Sequence, residues 1–219
     1  MAVAALLATA AVGALAQFAS SRPPTQVLNP IALKPPAGAR VAIVEFDDLE
    51  CPACANANPF LKAAAAKYRI PWVRHDLLIP SHMWSRSAAI KARWFDSQNP
   101  ALGSEYRDEV FANQPYIYNL SMLNQFTDRF AMNHHVTMPA DVDPQGKLAA
   151  EVEADTKLGQ QTGARFTPTI FVVASGSKGP PFVEVLNPEQ NLDQVIEQAL
   201  ANTAPAPAPT PAKSKARKH

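Results

Sequence analysis

The order of apolar and polar positions divides the chain into strand-like and helix-like stretches. Val41–Phe46 is an apolar run broken only by Glu45, which suits a central strand buried on both faces. From Ala55 to Tyr68 the period becomes helical, with Ala55, Phe60, Leu61, Ala64, Ala65 and Tyr68 on one side. Pro59 falls inside this helix and should kink it by removing one hydrogen bond. Trp72–Ile79 reads as the next strand, closed by Pro80. Residues 81–162 look helical throughout. Trp84, Ala88, Ala92 and Phe95 recur at three- and four-residue spacing, and Ser104 can cap a short helix carrying Tyr106 and Val110. Leu120, Leu123, Phe126 and Phe130 mark another helix. Asp143-Pro144 predicts an N-cap and first helical position for a helix with Leu148, Val152 and Leu158, stopped by Gly163. Period two then returns in Thr167–Ala174, a turn over 176–181, and Phe182–Leu186. Asn187-Pro188 with Gln190 opens a last helix striped by Leu192, Val195, Ile196, Ala199 and Leu200.

The two ends break this pattern. Residues 1–20 hold an uncharged apolar stretch, short for a membrane span, with Ala14-Leu15-Ala16 fitting a small-x-small cleavage site. A signal peptide or an N-terminal anchor is expected there. Residues 21–37 are a Pro-rich lead-in that has room for one short edge strand near Thr25 to Leu28. Residues 203–219 alternate Pro with Ala and finish in basic residues, which predicts a disordered tail. Between the ends lies one domain, formed by 38–80 and 163–202, with 81–162 inserted as a helical block.

Charge adds an exclusion. The 219 residues carry a formal net charge of +1, but Lys213, Lys215, Arg217 and Lys218 all lie in the tail. Without those four, 16 basic residues face 19 acidic ones, so no nucleic-acid surface is expected.

The chemistry concentrates in Cys51-Pro52-Ala53-Cys54, which holds both cysteines of the chain. The pair sits where the first strand gives way to the first helix. A helix N-terminus offers unpaired N–H groups and partial positive charge, which stabilise a thiolate on the first cysteine. The two-residue spacer lets the second sulfur close back on the first. A structural zinc site needs ligands that this chain lacks, since no second C-x-x-C or spaced histidine pair is present. A redox-active dithiol is therefore expected, with no metal and no cofactor beyond the Cys51–Cys54 disulfide itself.

Four features resemble the DsbA-like thiol–disulfide oxidoreductase family over roughly residues 38–202. They are Glu45-Phe-Asp-Asp-Leu-Glu-Cys51-Pro-Ala-Cys54, the proline at 59, the helical block between the second and third core strands, and Phe166-Thr-Pro-Thr-Ile-Phe-Val172. The resemblance implies an α/β, thioredoxin-like fold: a central mixed sheet with an inserted helical subdomain. It implies that Cys51 attacks, that Cys54 is the buried resolving thiol, and that Glu45 is a buried acid relaying a proton to or from it. Thr167 and a cis-Pro168, with Pro52 and Ala53, would bind a substrate strand. Exported or unfolded proteins would be the substrates and a membrane redox partner would reset the pair, in a periplasmic or envelope setting. Ala53 stands where the strongest oxidases of the family carry histidine, so the direction of electron flow stays open between oxidase and reductase or isomerase. A binding or chaperone module of the same fold is the alternative from another class.

Other residues carry less. Asp47, Asp48 and Glu50 are expected on a solvated rim, opposing the helix effect on Cys51. His134-His135 have no partner carboxylate or cysteine at ligand spacing in sequence. Trp72, Trp84, Trp94 and His75 read as core or groove packing.

Overall fold

The computed structural model describes residues 22–203. The expectations for 1–20 and for the tail beyond Thr203 lie outside the described residues. Thr203 itself belongs to the folded part: it is buried, and its hydroxyl donates to Leu200 O at 3.0 Å.

The strands are β1 (Val41–Asp47), β2 (Trp72–Asp76), β3 (Thr169–Ala174) and β4 (Phe182–Glu184). The helices are α1 (Pro52–Tyr68), α2 (Ser85–Gln98), α3 (Pro100–Asn113), α4 (Leu120–Asn133), α5 (Lys147–Thr162) and α6 (Pro188–Asn202). The sheet runs β2-β1-β3-β4, with β1 parallel to β2 and the remaining pairs antiparallel. This is the expected thioredoxin-like arrangement, with a mixed sheet and α2–α5 between its second and third strands.

β1 is central and every residue in it is buried. Alternation along it separates two cores. Val41 and Ile43 pack with Ala57, Leu61 and Ala64 of α1, Ile170 and Val172 of β3, and Leu192 and Ile196 of α6. Ala42, Val44 and Phe46 pack on the other side with Leu77, Ala164, Phe171 and Val173. Gly159 lets α5 come this close, because a Cβ there would stand 3.0 Å from the Phe46 ring and 3.1 Å from Leu77. A third core belongs to the helical block, around Trp84, Phe95, Tyr106, Leu123 and Phe130, and it takes in Leu49, Cys51 and Cys54. The cysteines thus lie at the seam between sheet and helical block.

Several local expectations change. Ser104 does not cap: α3 starts at Pro100, and Asn99 accepts from Ala101 N at 2.9 Å. Asp143 caps from a distance, accepting from Leu148 N and Ala149 N while α5 begins at Lys147. Residues 25–28 form no strand. Instead Leu28 N donates to Thr162 O, and Thr25 N and its hydroxyl both donate to the Glu184 carboxylate. Phe60 is 38% exposed, not core, because the helix turns it toward an open groove. Among the described residues no helix is long and apolar enough to cross a membrane.

Candidate active site

β1 ends at Asp47, a short turn follows, and α1 starts with Pro52 at its first position and Cys51 as its N-cap residue. Proline suits that position because the N–H it lacks would have no intrahelical partner. The turn is held by Asp48, which is buried and not on a solvated rim. Its carboxylate accepts from Glu50 N and Ile79 N, each at 2.8 Å, and meets His82 Nδ1 at 3.0 Å. Those amides satisfy the charge that burial strips of water. Glu50 likewise does not face Cys51 as a free charge: its Oε2 accepts from Trp84 N and Ser85 N, at 2.6 and 3.0 Å, at the start of α2. Gln114 Nε2 donates to Leu49 O, so the α3–α4 connection braces the same turn.

The two sulfurs differ in setting. Cys51 is 6% exposed and Cys54 fully buried, and both are free thiols. The Cys51 pKa is lowered to about 6. The largest cause is a hydrogen bond with the Cys54 thiol; burial opposes it, and the Thr167 side chain and the backbone N–H groups of Cys54 and Ala53 assist. These amides are the unpaired donors of the α1 N-terminus. Burial pushes the Cys54 thiol well up, helped by Cys51, Asp47 and Glu45. One sulfur is therefore a thiolate at neutral pH, and the other keeps its proton.

The Thr167–Pro168 peptide bond is cis, and Thr167 O stands 3.3 Å from Cys51 Sγ. Thr167, Pro168 and Ala53 line a groove of about 330 Å³, with Asn56, Phe60, Ile170 and Val185. Pro52 is exposed but lies outside that lining. Arg22 borders the groove, donating to Pro168 O at 3.4 Å and pairing with Glu184 at 2.9 Å.

Behind Cys54, Glu45 is 1% exposed. Burial raises its pKa to about 7, against Arg74 and the Trp72 indole, which donates to it at 3.0 Å. Asp47, expected at the surface, is also buried, because the alternation that turns Glu45 toward α1 turns Asp47 there too. Arg74 of β2, opposite Glu45 in the register, lies against the Trp72 ring and hydrogen-bonds Asn58 of α1. Asn58 in turn donates to Asp108 of α3 at 2.9 Å. Nothing in the local sequence around Arg74, Asn58 or Asp108 marks them as neighbours of Cys54. The one available signal is a strand arginine in register with a strand glutamate.

His134 does find carboxylates, contrary to expectation: it meets Glu105 and Glu109, with ligand atoms within 4.8 Å of one another, in a partly exposed cluster. His75 stacks on Phe46 and hydrogen-bonds Asp155. Trp84 and Trp94 are core residues.

The thioredoxin family model matches residues 37–181. Among solved structures, oxidised BdbD of Bacillus subtilis superposes with a TM-score of 0.62 at 19% identity, covering 81% of this chain and 98% of that one. α-DsbA1 of Wolbachia pipientis gives 0.61 at 17% identity, covering 78% and 90%. A periplasmic thioredoxin-like protein of Salmonella enterica serovar Typhimurium gives 0.60 at 19% identity, covering 75% and 87%. A curated relative, the Na(+)/H(+) antiporter NhaA 3 of Salinispora tropica, is 29% identical over 160 residues. That match takes in 69% of this chain, which spans only 23% of the antiporter's length.

Proposed function

The chain belongs to the thioredoxin family, and from that premise we propose that it is a thiol–disulfide oxidoreductase working through Cys51 and Cys54. The observation that carries the reading is the asymmetry of the two thiols. Cys51, with a pKa near 6 at a helix N-terminus, is a thiolate ready to attack a disulfide. Cys54, sealed and protonated one turn on, resolves the mixed disulfide. In the step, the Cys51 thiolate bonds to one sulfur of a substrate disulfide and the other leaves as thiolate. Cys54 then gives up its proton and attacks Cys51, closing the Cys51–Cys54 bond and releasing the substrate thiolate. In the reverse direction the closed pair oxidises a substrate dithiol.

The substrates are proteins. The groove beside Thr167 and Pro168 is open, and Thr167 O lies beside the attacking sulfur, which suits β-type pairing with an extended segment. The fold likeness to the DsbA proteins and the apolar N-terminal stretch support exported or unfolded proteins as substrates, an extracytoplasmic location and a membrane redox partner. The antiport activity of the Salinispora relative is not carried over.

A redox titration of the pair against glutathione, followed by alkylation of free thiols, tests the reading. A reversible two-electron transition at a defined potential is expected. A pair that never closes under air or oxidised glutathione would overturn it, and would favour a binding module of the same fold.

A further inference from the structure

Glu45 and Asp47 leave β1 on the same side, two residues apart; both are buried, and both act electrostatically on Cys54. The charged groups around them come from three other elements: Arg74 and Asp76 from β2, the cysteines from α1, and Arg107 and Asp108 from α3. Most of these are already matched. Arg107 is held by Asp96, Asp76 by Arg93, and Asp108 by Lys62. What remains inside is two carboxyl groups and one guanidinium. Arg74 Nε stands 3.7 Å from Glu45 Oε2 and 3.5 Å from Asp47 Oδ2. The two carboxyl side chains are 1% and 3% exposed. Neither Arg74 Nε nor Asp47 Oδ2 has a hydrogen-bond partner, whereas Glu45 is steadied by Trp72.

Two carboxylates on one buried cation leave an uncompensated negative charge out of water, which is costly unless a proton is taken up. We propose that Asp47 is the second member of a proton-holding pair with Glu45: under Arg74 the two share one proton, and the empty carboxylate receives the proton of Cys54. This rests on the redox reading above. When Cys54 attacks the Cys51 mixed disulfide, the S–H proton moves to the pair, the Cys54–Cys51 bond forms, and the outer thiolate leaves. When the disulfide is opened from the substrate side, the pair returns a proton to the departing Cys54 sulfur. Asp47 is suited to this because its Oδ2 is the unsatisfied acceptor of the cluster, and because Asp47 and Glu45 both act electrostatically on Cys54. Asn58 and Asp108 serve as positioning residues that hold Arg74 in place.

Reaction of the reduced protein with 5,5′-dithiobis(2-nitrobenzoate) separates the steps by absorbance. The first released thionitrobenzoate reports attack by Cys51; the second reports attack by Cys54 on the mixed disulfide. Both rates are measured from pH 5 to 9 in the wild type, Asp47→Asn, Glu45→Gln and the double variant. In the wild type the second rate should rise through neutral pH as the pair empties. Each single variant should keep a second phase, slowed roughly 3- to 10-fold relative to the first and with a displaced midpoint. The double variant should lose roughly 100-fold or more, the scale of a missing general base. A second phase unchanged in Asp47→Asn, with Glu45→Gln as slow as the double variant, would overturn the pair and leave Glu45 alone. Should the double variant not fold, an unchanged second-phase midpoint in Asp47→Asn overturns the proposal by itself. Absence of a fast first phase in the wild type would instead refute the redox reading on which it rests.

Discussion

The α1-facing side of β1 has two ends that are equally buried and chemically opposite. At one end Val41 and Ile43 meet Leu61, Ala64 and Ile196, hydrocarbon against hydrocarbon. At the other, Glu45 and Asp47 meet Arg74 near the sealed Cys54 thiol. Ile43 and Glu45 differ by a single percentage point of exposure, at 0% and 1%. Depth alone therefore does not say what a position is for. At the apolar end burial contributes stability directly; at the ionic end the same burial raises the pKa of both carboxyl groups and keeps a thiol protonated.

Replacing either of the two sulfurs beside the ionic end should have the largest effect. Cys51→Ser should abolish disulfide exchange with protein substrates. Cys54→Ser should retain attack and accumulate mixed disulfides, visible as a mass increase on Cys51. If Cys54→Ser turned over normally, the contrast between the two sulfurs would fail. At the apolar end, Leu61→Ala should cost about 2–5 kcal/mol by leaving a cavity under β1. Chemical denaturation would read that loss, and Cys51 alkylation in the folded protein should keep its midpoint near pH 6. A shifted midpoint would show that the two ends are coupled.

The pH dependence of Cys51 sharpens the contrast further. Its depressed pKa makes alkylation rise as pH climbs through about 6 and level off above it. The thiolate stabilises the reduced form at pH above that value, an advantage lost as pH falls through it. A stabilised reduced form makes the disulfide more oxidising. Ala53→His should move the midpoint lower and raise the potential, which we expect between about −270 and about −120 mV. Glu50→Gln should barely move either, since that carboxylate is engaged by the α2 amides; thermal melting should register a loss of roughly 0.5–2 kcal/mol, as for a lost cap. Smallest of all, Lys67→Ala, which breaks the solvent-screened pair with Asp193, should leave the melting temperature almost unchanged.

The sequence carried the frame of this site because its signals are local. Cys51, Pro52 and Cys54 mark a strand-to-helix junction by spacing, and Thr167-Pro168 marks a strand start. The block of helices is visible in three- and four-residue periods, but its caps are not: Ser104 looks like one, whereas Asn99, outside the apolar stripe, serves. The charged residues were harder to read. Asp47 and Asp48 look solvated in a run of acids, and what permits their burial comes from residues far along the chain: Arg74 for one, the Ile79 amide and His82 for the other. The pairing between Arg74 and Glu45 is a matter of register between parallel strands, which no short window of sequence contains.

The lead-in has a consequence for how the chain assembles in time. Thr25 is fastened to Glu184 across 159 positions, and Leu28 to Thr162. Gly163, at φ +103°, leaves the space that the Gln26 carbonyl occupies. These partners leave the ribosome long after the lead-in does. A chain emerging N-terminus first must hold residues 22–28 unplaced until α5 and β4 exist, so this early segment is among the last to dock. A polypeptide stalled before residue 184 would still hold both cysteines, with the border of the groove beside Pro168 unlatched.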